Sequence, residues 1–311
     1  LVQTYKNWVC EVHNDDPNDS RPSEVLREFS DPRMSLITHP EKYGPTKTFN
    51  CAFVSIKEEF ISILEDDNSW EPGFLSTCIA CLDQNPEMAL VWTNMQMWKQ
   101  VNETTCVPTE KIFWPEKSKR GTTLPVQNVF KWPNSRSMMG GLYSNGAMVA
   151  RSKYAAHSII PEKCPFNFIE PFRERAFPYP ICLIRRKLAN WTWTLSSARK
   201  NNDAQSLALR VFLVNSYLLH WKKTRFGCLR MWAMARRRKQ RQLIVIALAI
   251  LINVRLWPLL GYLQFSDLFW LCVDFARAPW ATLRSLEYMW RYAEMRVFLN
   301  QKTEEQFKTV V

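Results

Sequence analysis

Short apolar runs alternate with amphipathic stretches along the first hundred residues. Trp8-Val9-Cys10-Glu11-Val12-His13 alternates as a half-buried strand does. It ends in Asn14-Asp15-Asp16-Pro17-Asn18-Asp19-Ser20, a cluster of turn formers. The spacing then predicts a helix over 23–29 with Ser23 as N-cap, a strand over 34–38 and a helix over 46–57 after Gly44-Pro45. A buried strand over 60–64, a helix over 73–84 and a strand over 89–97 follow. Connections are short, so the pattern predicts an α/β domain with a mostly parallel sheet flanked by helices. Ligands of such sheets gather at the carboxyl ends of strands. Both acidic clusters, Asp15-Asp16 and Glu65-Asp66-Asp67, come directly after a strand.

Periodicity weakens over 101–134, where Thr, Pro and Lys are frequent, and loops or an edge hairpin are expected. Residues 138–151 carry Gly140-Gly141 and Asn145-Gly146, then an apolar run. From about Tyr179 onward the pattern reads as helical almost throughout. No internal repeat or low-complexity tract interrupts it.

Hydrophobic residues make up 47% and charged residues 23%, which excludes a disordered chain. Charge changes the picture more: 41 Lys and Arg against 29 Asp and Glu give +12. Between Asp203 and Asp267 there is no acid and there are eleven bases, which leaves 30 bases and 29 acids elsewhere. A nearly neutral body therefore carries one cationic module. Nine of its bases fall within 221–242, interleaved with Trp221, Phe226 and Trp232, and ten apolar residues follow over 243–252. A bilayer span needs about 20 apolar residues, and Arg255 and Pro258 break the continuation. The pattern fits an interfacial anchor on an anionic leaflet, with Arg236, Arg237, Arg238, Lys239 and Trp257 at the lipid surface. A core helix with a solvated basic face is the alternative. Nucleic acid is not expected as a partner, since an RNA surface has no use for the apolar run. Residues 280–298 read as another amphipathic helix.

Nine scattered cysteines, an odd number, point to a reducing, cytoplasmic compartment. Cys78-Ile79-Ala80-Cys81 lies in an apolar helical pattern and reads as two small core residues. The opening Leu1-Val2-Gln3-Thr4-Tyr5-Lys6-Asn7-Trp8 lacks signal-peptide features and looks like a helix end running into a strand, so preceding residues are expected.

Carboxylates gathered at a sheet edge need cations or donors to offset them. A divalent metal bridging to a phosphate does so with hard oxygen ligands; solvated turns are the alternative. Here the sequence resembles a known family. Gln3-Thr4-Tyr5-Lys6-Asn7-Trp8, then Asp15-Asp16, then Gly44 and Asn50, then Glu65-Asp66-Asp67-Asn68-x-Trp70-x-Pro72-x-Phe74-Leu75 resemble the family 2 glycosyltransferases of GT-A (Rossmann-like) fold. Their patterns are "AQTYxNWE", "DDGSxD", "GxxxARN" and "DxDDxWxPxFL". Asn145-Gly146-Ala147-Met148-Val149-Ala150-Arg151 is similar to the "GxxLxRR" segment. The resemblance covers roughly residues 1–175.

It implies that Asp15 and Asp16 contact the nucleotide base and that Asp66 lies near the ribose. Asp67, with Glu65 where Asp is commoner, would hold a Mn or Mg ion. Asn50 matches the Asn of "ARN", although Phe49 replaces its Arg. Asn145, Gly146 and Trp70 would face the acceptor. The family's base is the Asp of an "ED" pair; Glu170 is the matching carboxylate, and Glu174, one turn later, is the alternative. His13 reads mainly as a strand-end residue. The polymer-forming "QxxRW" motif is absent.

The expected organisation is a GT-A-like domain over 1–200 and a helical, basic, membrane-associating region over 201–311. The expected function is a metal-dependent, inverting hexosyl transfer from a nucleotide-diphosphate sugar to a glycan or lipid-linked acceptor, in polysaccharide biosynthesis at the inner membrane face. An inactive transferase-like assembly partner and a nucleotidyltransferase are the rivals.

Overall fold

A computed structural model describes residues 1–54, 56–116, 122–123, 125–130, 145–177, 179–195, 203–221, 229, 232–233, 235–236 and 242–309. They fall into two compact units. The first takes the described residues of 1–131, 143–169 and 179–198; the second takes those of 132–142, 170–178 and 199–311.

In the first unit, β1 (Cys10–Asn14) and β2 (Met34–Thr38) form a parallel pair, Cys10 opposite Met34 and Asn14 opposite Thr38. Between them lies α1 (Arg21–Phe29), with Ser20 at its N-cap rather than Ser23. Pro22 fits the first turn, where no donor is needed. α2 (Pro45–Cys51) is shorter than the 46–57 expected. Gly44 precedes it at φ 78, a left-handed conformation that a side chain would strain.

The main sheet has the order β3 (Phe60–Ser62), β8 (Met148–Arg151), β5 (Leu90–Gln100), β9 (Ile181–Trp193), β4 (Ser69–Trp70). β6 (Cys106–Ile112) pairs with the second half of β5, and β7 (Gln127–Phe130) with the first half of β9. The α/β class is the one expected, but the sheet is mixed. Only β5 with β9 runs parallel here; the other pairings are antiparallel. The parallel expectation came from counting strand–helix alternation, and that alternation stops at β5.

β9 corrects the reading of a helical chain from Tyr179. Its thirteen residues run parallel to β5 from Leu90–Ile181 to Lys99–Trp193, with the register shifting on either side of Asn94. Ile181-Cys182-Leu183-Ile184 is buried on both faces, so it shows no alternation and imitates a helical run. α3 (Phe74–Gln84) covers β5 and β8, burying Phe74, Cys78, Ile79, Cys81 and Leu82. Cys78 and Cys81 are thus core residues, and burial pushes the Cys78 thiol up. Arg151, itself buried, closes the helix end by donating to the Leu82 and Met88 carbonyls at 2.6 and 3.1 Å.

The second unit includes α4 (Ile169–Ala176) from Glu170 onward, with α5 (Asp203–Trp221), α6 (Gln242–Leu251), α7 (Phe265–Arg277), α8 (Pro279–Arg291) and α9 (Ala293–Thr309). α5 packs against α6, α8 and α9. Asn215 and Asn253 join α5 to the end of α6: Asn215 Nδ2 donates to the Ala249 carbonyl at 2.7 Å, and Asn215 Oδ1 accepts from Asn253 Nδ2 at 3.2 Å. The run 243–252, expected to face lipid, lies mostly in this core. Leu243, Ile244, Val245, Ile246, Ala249 and Ile250 are buried, because a helix apolar on every side fills a helical core as well as it meets lipid. Residues 280–298 hold parts of two helices, broken at Tyr292.

Candidate active site

Glu65, Asp66 and Asp67 form the turn between β3 and β4; Asp66 and Asp67 are exposed and Glu65 is half-buried. Asn68 anchors this turn at both ends of its amide. Its Nδ2 donates to Glu65 Oε2 at 2.6 Å, and its Oδ1 accepts from the Thr192 amide of β9 at 3.0 Å. Trp70 Nε1 donates to the Gly146 carbonyl at 2.7 Å, and its ring stacks on Phe74 at 4.4 Å. A Cβ on Gly146 would meet Glu65 Oε2 at 3.3 Å and Asn68 Nδ2 at 3.4 Å, a tight fit that would make both side chains shift. The structure therefore brings Glu65, Asn68, Trp70, buried Asn145 and Gly146 together. Asn190 extends the network, donating to Ser69 Oγ and Glu71 Oε1 and accepting from Trp98 Nε1 at 2.9 Å.

The opening segment docks on the same loop. Gln3 donates to the Glu71 carbonyl at 2.8 Å and accepts from the Leu75 amide at 3.1 Å, and the Thr4 amide donates to the Pro72 carbonyl at 2.8 Å. The spacing from Gln3-Thr4 to Trp70-x-Pro72 is thus a physical contact.

Asp15 has a different environment from Asp16. Its carboxylate accepts from the Tyr43 and Gly44 amides at 2.8 and 2.9 Å, from Thr48 Oγ1 at 2.9 Å, and pairs with His39 at 3.2 Å. Burial opposes its charge, but these donors outweigh it and hold the carboxyl below its ordinary value. His39, buried, also meets His13 at 3.0 Å. Burial and the neighbouring His39 push His13 down, against the pull of Glu11. Asp16 is exposed and caps its own turn, accepting from the Asn18 amide. Buried Asn14, not an aspartate, ends β1 and ties the turn by donating to the Asp19 carbonyl at 2.8 Å. Asn50 is buried, bonded through both amide atoms to the Ile160 backbone at 2.7 and 3.2 Å.

Glu170 and Glu174 lie on α4, half-buried and 5% exposed respectively. Next to them Arg175 donates to Ser216 Oγ at 2.7 Å and Thr303 Oγ1 at 2.8 Å, and burial pushes it down to about 10. Arg236 makes a two-pronged ion pair with buried Asp267 at 2.9 and 2.6 Å. Arg237, Arg238 and Lys239 lie outside the described residues; Trp257 is exposed.

Sequence reasoning passed over Asn68, Asn190, Thr192 and His39. Asn68 lies inside the quoted motif and could have been singled out; the others come close only through the fold.

The donor set in the loop is hard oxygen, which suits Mg or Mn. Among the described residues no group of three or more His, Cys, Asp or Glu is placed to hold a metal ion. A cation here would need ligands beyond the protein's own.

Residues 1–131 match the family described as Glycosyl transferase family 2. Over 85 residues the chain is 35% identical to the UDP-Glc:alpha-D-GlcNAc-diphosphoundecaprenol beta-1,3-glucosyltransferase WfgD of Escherichia coli, covering 27% of this chain and 33% of that protein. Over 95 residues it is 23% identical to the uncharacterized protein y4gI of Sinorhizobium fredii (strain NBRC 101917 / NGR234), covering 30% and 10%. The crystal structure of S. aureus TarS is similar with TM-score 0.50 and 14% identity, over 93% of this chain and 51% of that one. The matches thus span a third or less of the curated relatives. Residues 1–131 are thus similar to glycosyl transferase family 2, and the mixed sheet carrying the carboxylate turn belongs to a GT-A-like fold.

Proposed function

We propose that the chain transfers a sugar from a UDP-sugar to a lipid-linked glycan acceptor, with inversion, at the inner face of a membrane. The observation that carries this reading is the Glu65–Trp70 turn, pinned by Asn68 and Trp70 beside Gly146. The donor and acceptor classes follow the printed activity of the E. coli relative. The membrane location follows the acid-free basic stretch. In this reading residues 1–200 bind the donor and 201–311 meet the membrane.

Asp67 and Glu65 would hold a divalent cation, which when bound offsets charge on the leaving diphosphate. Asp66 lies beside them on the exposed turn and would accept from the ribose hydroxyls. Asn68 keeps the turn in one geometry, so no reorganisation is needed as charge develops. Trp70, locked by Gly146 and Phe74, offers a fixed apolar wall for the sugar. Asp15, accepting from backbone and side-chain donors, and Asn50, bonded through both amide atoms to the Ile160 backbone, act by holding the loops around the nucleotide. Glu170 takes the acceptor hydroxyl proton.

Titration calorimetry of UDP with intact protein, with and without Mn²⁺, tests the reading. Metal-dependent binding that Asp67→Ala abolishes is expected; binding indifferent to both metal and Asp67 overturns it. The lack of an "ED" pair around Glu170, where Pro171 follows instead, favours one second reading, an assembly partner without turnover. That reading would keep UDP binding and show no sugar release from any donor.

A further inference from the structure

α7 and α8 are built inside out. In α7, Asp267 and Asp274, seven residues apart and so on one face, are buried at 1% and 6% exposure. On the far side Phe265 is 90% exposed and Phe269 64%. α8 repeats the arrangement: Thr282 and Ser285 are buried, while Trp280 is 75% and Trp290 86% exposed. A helix packed on a water-soluble protein turns its apolar side inward. Large aromatic side chains left exposed on the outward side of two successive helices mark a place where something apolar covers them.

We infer that this outward face of α7 and α8 dips into the headgroup and upper acyl layer of an anionic leaflet. This rests on the membrane-face part of the function proposed above, and not on its chemistry. Two further observations favour lipid over a protein partner or a second copy. The 62 or so residues leading into α7, from 204 to 266, hold eleven bases and no acid, which complements an anionic surface. Exposed Arg277, Arg284 and Arg291 flank the aromatics, where guanidinium groups reach headgroups while their stems lie on apolar surface. No single described helix is long and apolar enough to cross a membrane. The 3-10 segment Val254–Tyr262 and α7 pass that test together, but they are bent by 118°, which suits entering and leaving on one side. The inward aspartates remain satisfied without water, since Asp267 pairs with Arg236 and accepts from the Gln264 amide.

The test uses the full chain and vesicles of phosphatidylcholine, alone or mixed with phosphatidylglycerol. Wild type is expected to float with the mixed vesicles, and lipids brominated near the headgroup are expected to quench its Trp emission. The variant Phe265→Ser/Phe269→Ser/Trp280→Ser removes only exposed side chains; circular dichroism checks its fold. Its partitioning is expected to fall by roughly tenfold or more. Wild type that stays unbound, or a folded triple variant that floats equally well, overturns the inference. So does a lipid-free wild-type dimer that the triple variant converts to monomer, since a second copy would then cover the face. Expected flotation without UDP binding would overturn the transferase reading and support this one.

Discussion

Asn68 is the residue on which the geometry of the carboxylate turn depends most, and Asn68→Ala removes both of its ties. The bond to Glu65 Oε2 at 2.6 Å is charge-assisted and worth about 1.5–3 kcal/mol; the bond from the Thr192 amide at 3.0 Å is neutral and worth about 0.5–1.5 kcal/mol. Both sites are half-exposed, so water replaces part of what is lost, and a net destabilisation of about 1–2 kcal/mol is expected. For a unit of this size that lowers Tm by roughly 2–8 °C. Asn68→Asp separates the two ties. It keeps an acceptor for Thr192 but sets a second carboxylate against Glu65, a repulsion of up to a few kcal/mol at an effective dielectric near ~20, reduced as the side chains swing outward. Metal-free protein at neutral pH should therefore rank wild type, Asn68→Ala, Asn68→Asp in falling order of Tm. The last two should converge as pH falls, because the repulsion requires both carboxyls to be charged. UDP affinity in the presence of Mn²⁺ should weaken about 5–30-fold in Asn68→Ala, the same free energy read as binding. Differential scanning fluorimetry and calorimetry measure both. If Asn68→Asp is as stable as wild type at neutral pH, Asn68 does not hold Glu65 and the pinned turn is wrong.

Asp15→Asn should lower the urea midpoint at neutral pH, with a loss of about 2 kcal/mol or more, because an amide cannot accept from four donors. The folded carboxyl sits below its unfolded value near ~3.9, so its stabilisation is complete above that pH and fades as pH falls below it. The gap between wild type and variant should therefore shrink in acid, and a gap independent of pH would refute the role given to those donors. Asn215→Ala should cost about 1–3 kcal/mol in a denaturant melt, since it orphans the Ala249 carbonyl and Asn253 Nδ2 in the helical core. Glu170→Gln should leave UDP affinity unchanged and cut sugar transfer by about a hundredfold or more; full activity would move the base to Glu174 or elsewhere.

Helix α3 stood out in the sequence because it has one buried face and therefore a clear period. β9 did not, because its first residues, 181–184, are buried on both faces and its basic middle, Arg185-Arg186-Lys187, breaks the apolar run. The carboxylate turn was legible as a motif, and so was its neighbour Gly146, but their contact depends on the β3–β8 pairing that no local spacing encodes. The partners of Asp15 come from residues 39–48, the segment after β2 and the first turn of α2, and no local spacing ties them to Asp15. In the second unit, hydropathy alone marked the run over 243–252, which the fold mostly buries. The apolar surface lies instead on α7 and α8, where the aspartates and hydroxyls that turn inward made the helices look ordinary.

The central claim is sugar transfer at the Glu65–Trp70 turn. The most direct measurement is transfer of radiolabelled sugar from UDP-glucose and related UDP-sugars to a polyprenyl-diphosphate-linked acceptor by the intact chain, with Mn²⁺ or with EDTA. The account predicts labelled lipid product that EDTA and Asp67→Ala each abolish while the protein stays folded. Product that forms equally well in the Asp67→Ala protein, or no product and no UDP release from any donor, would contradict it.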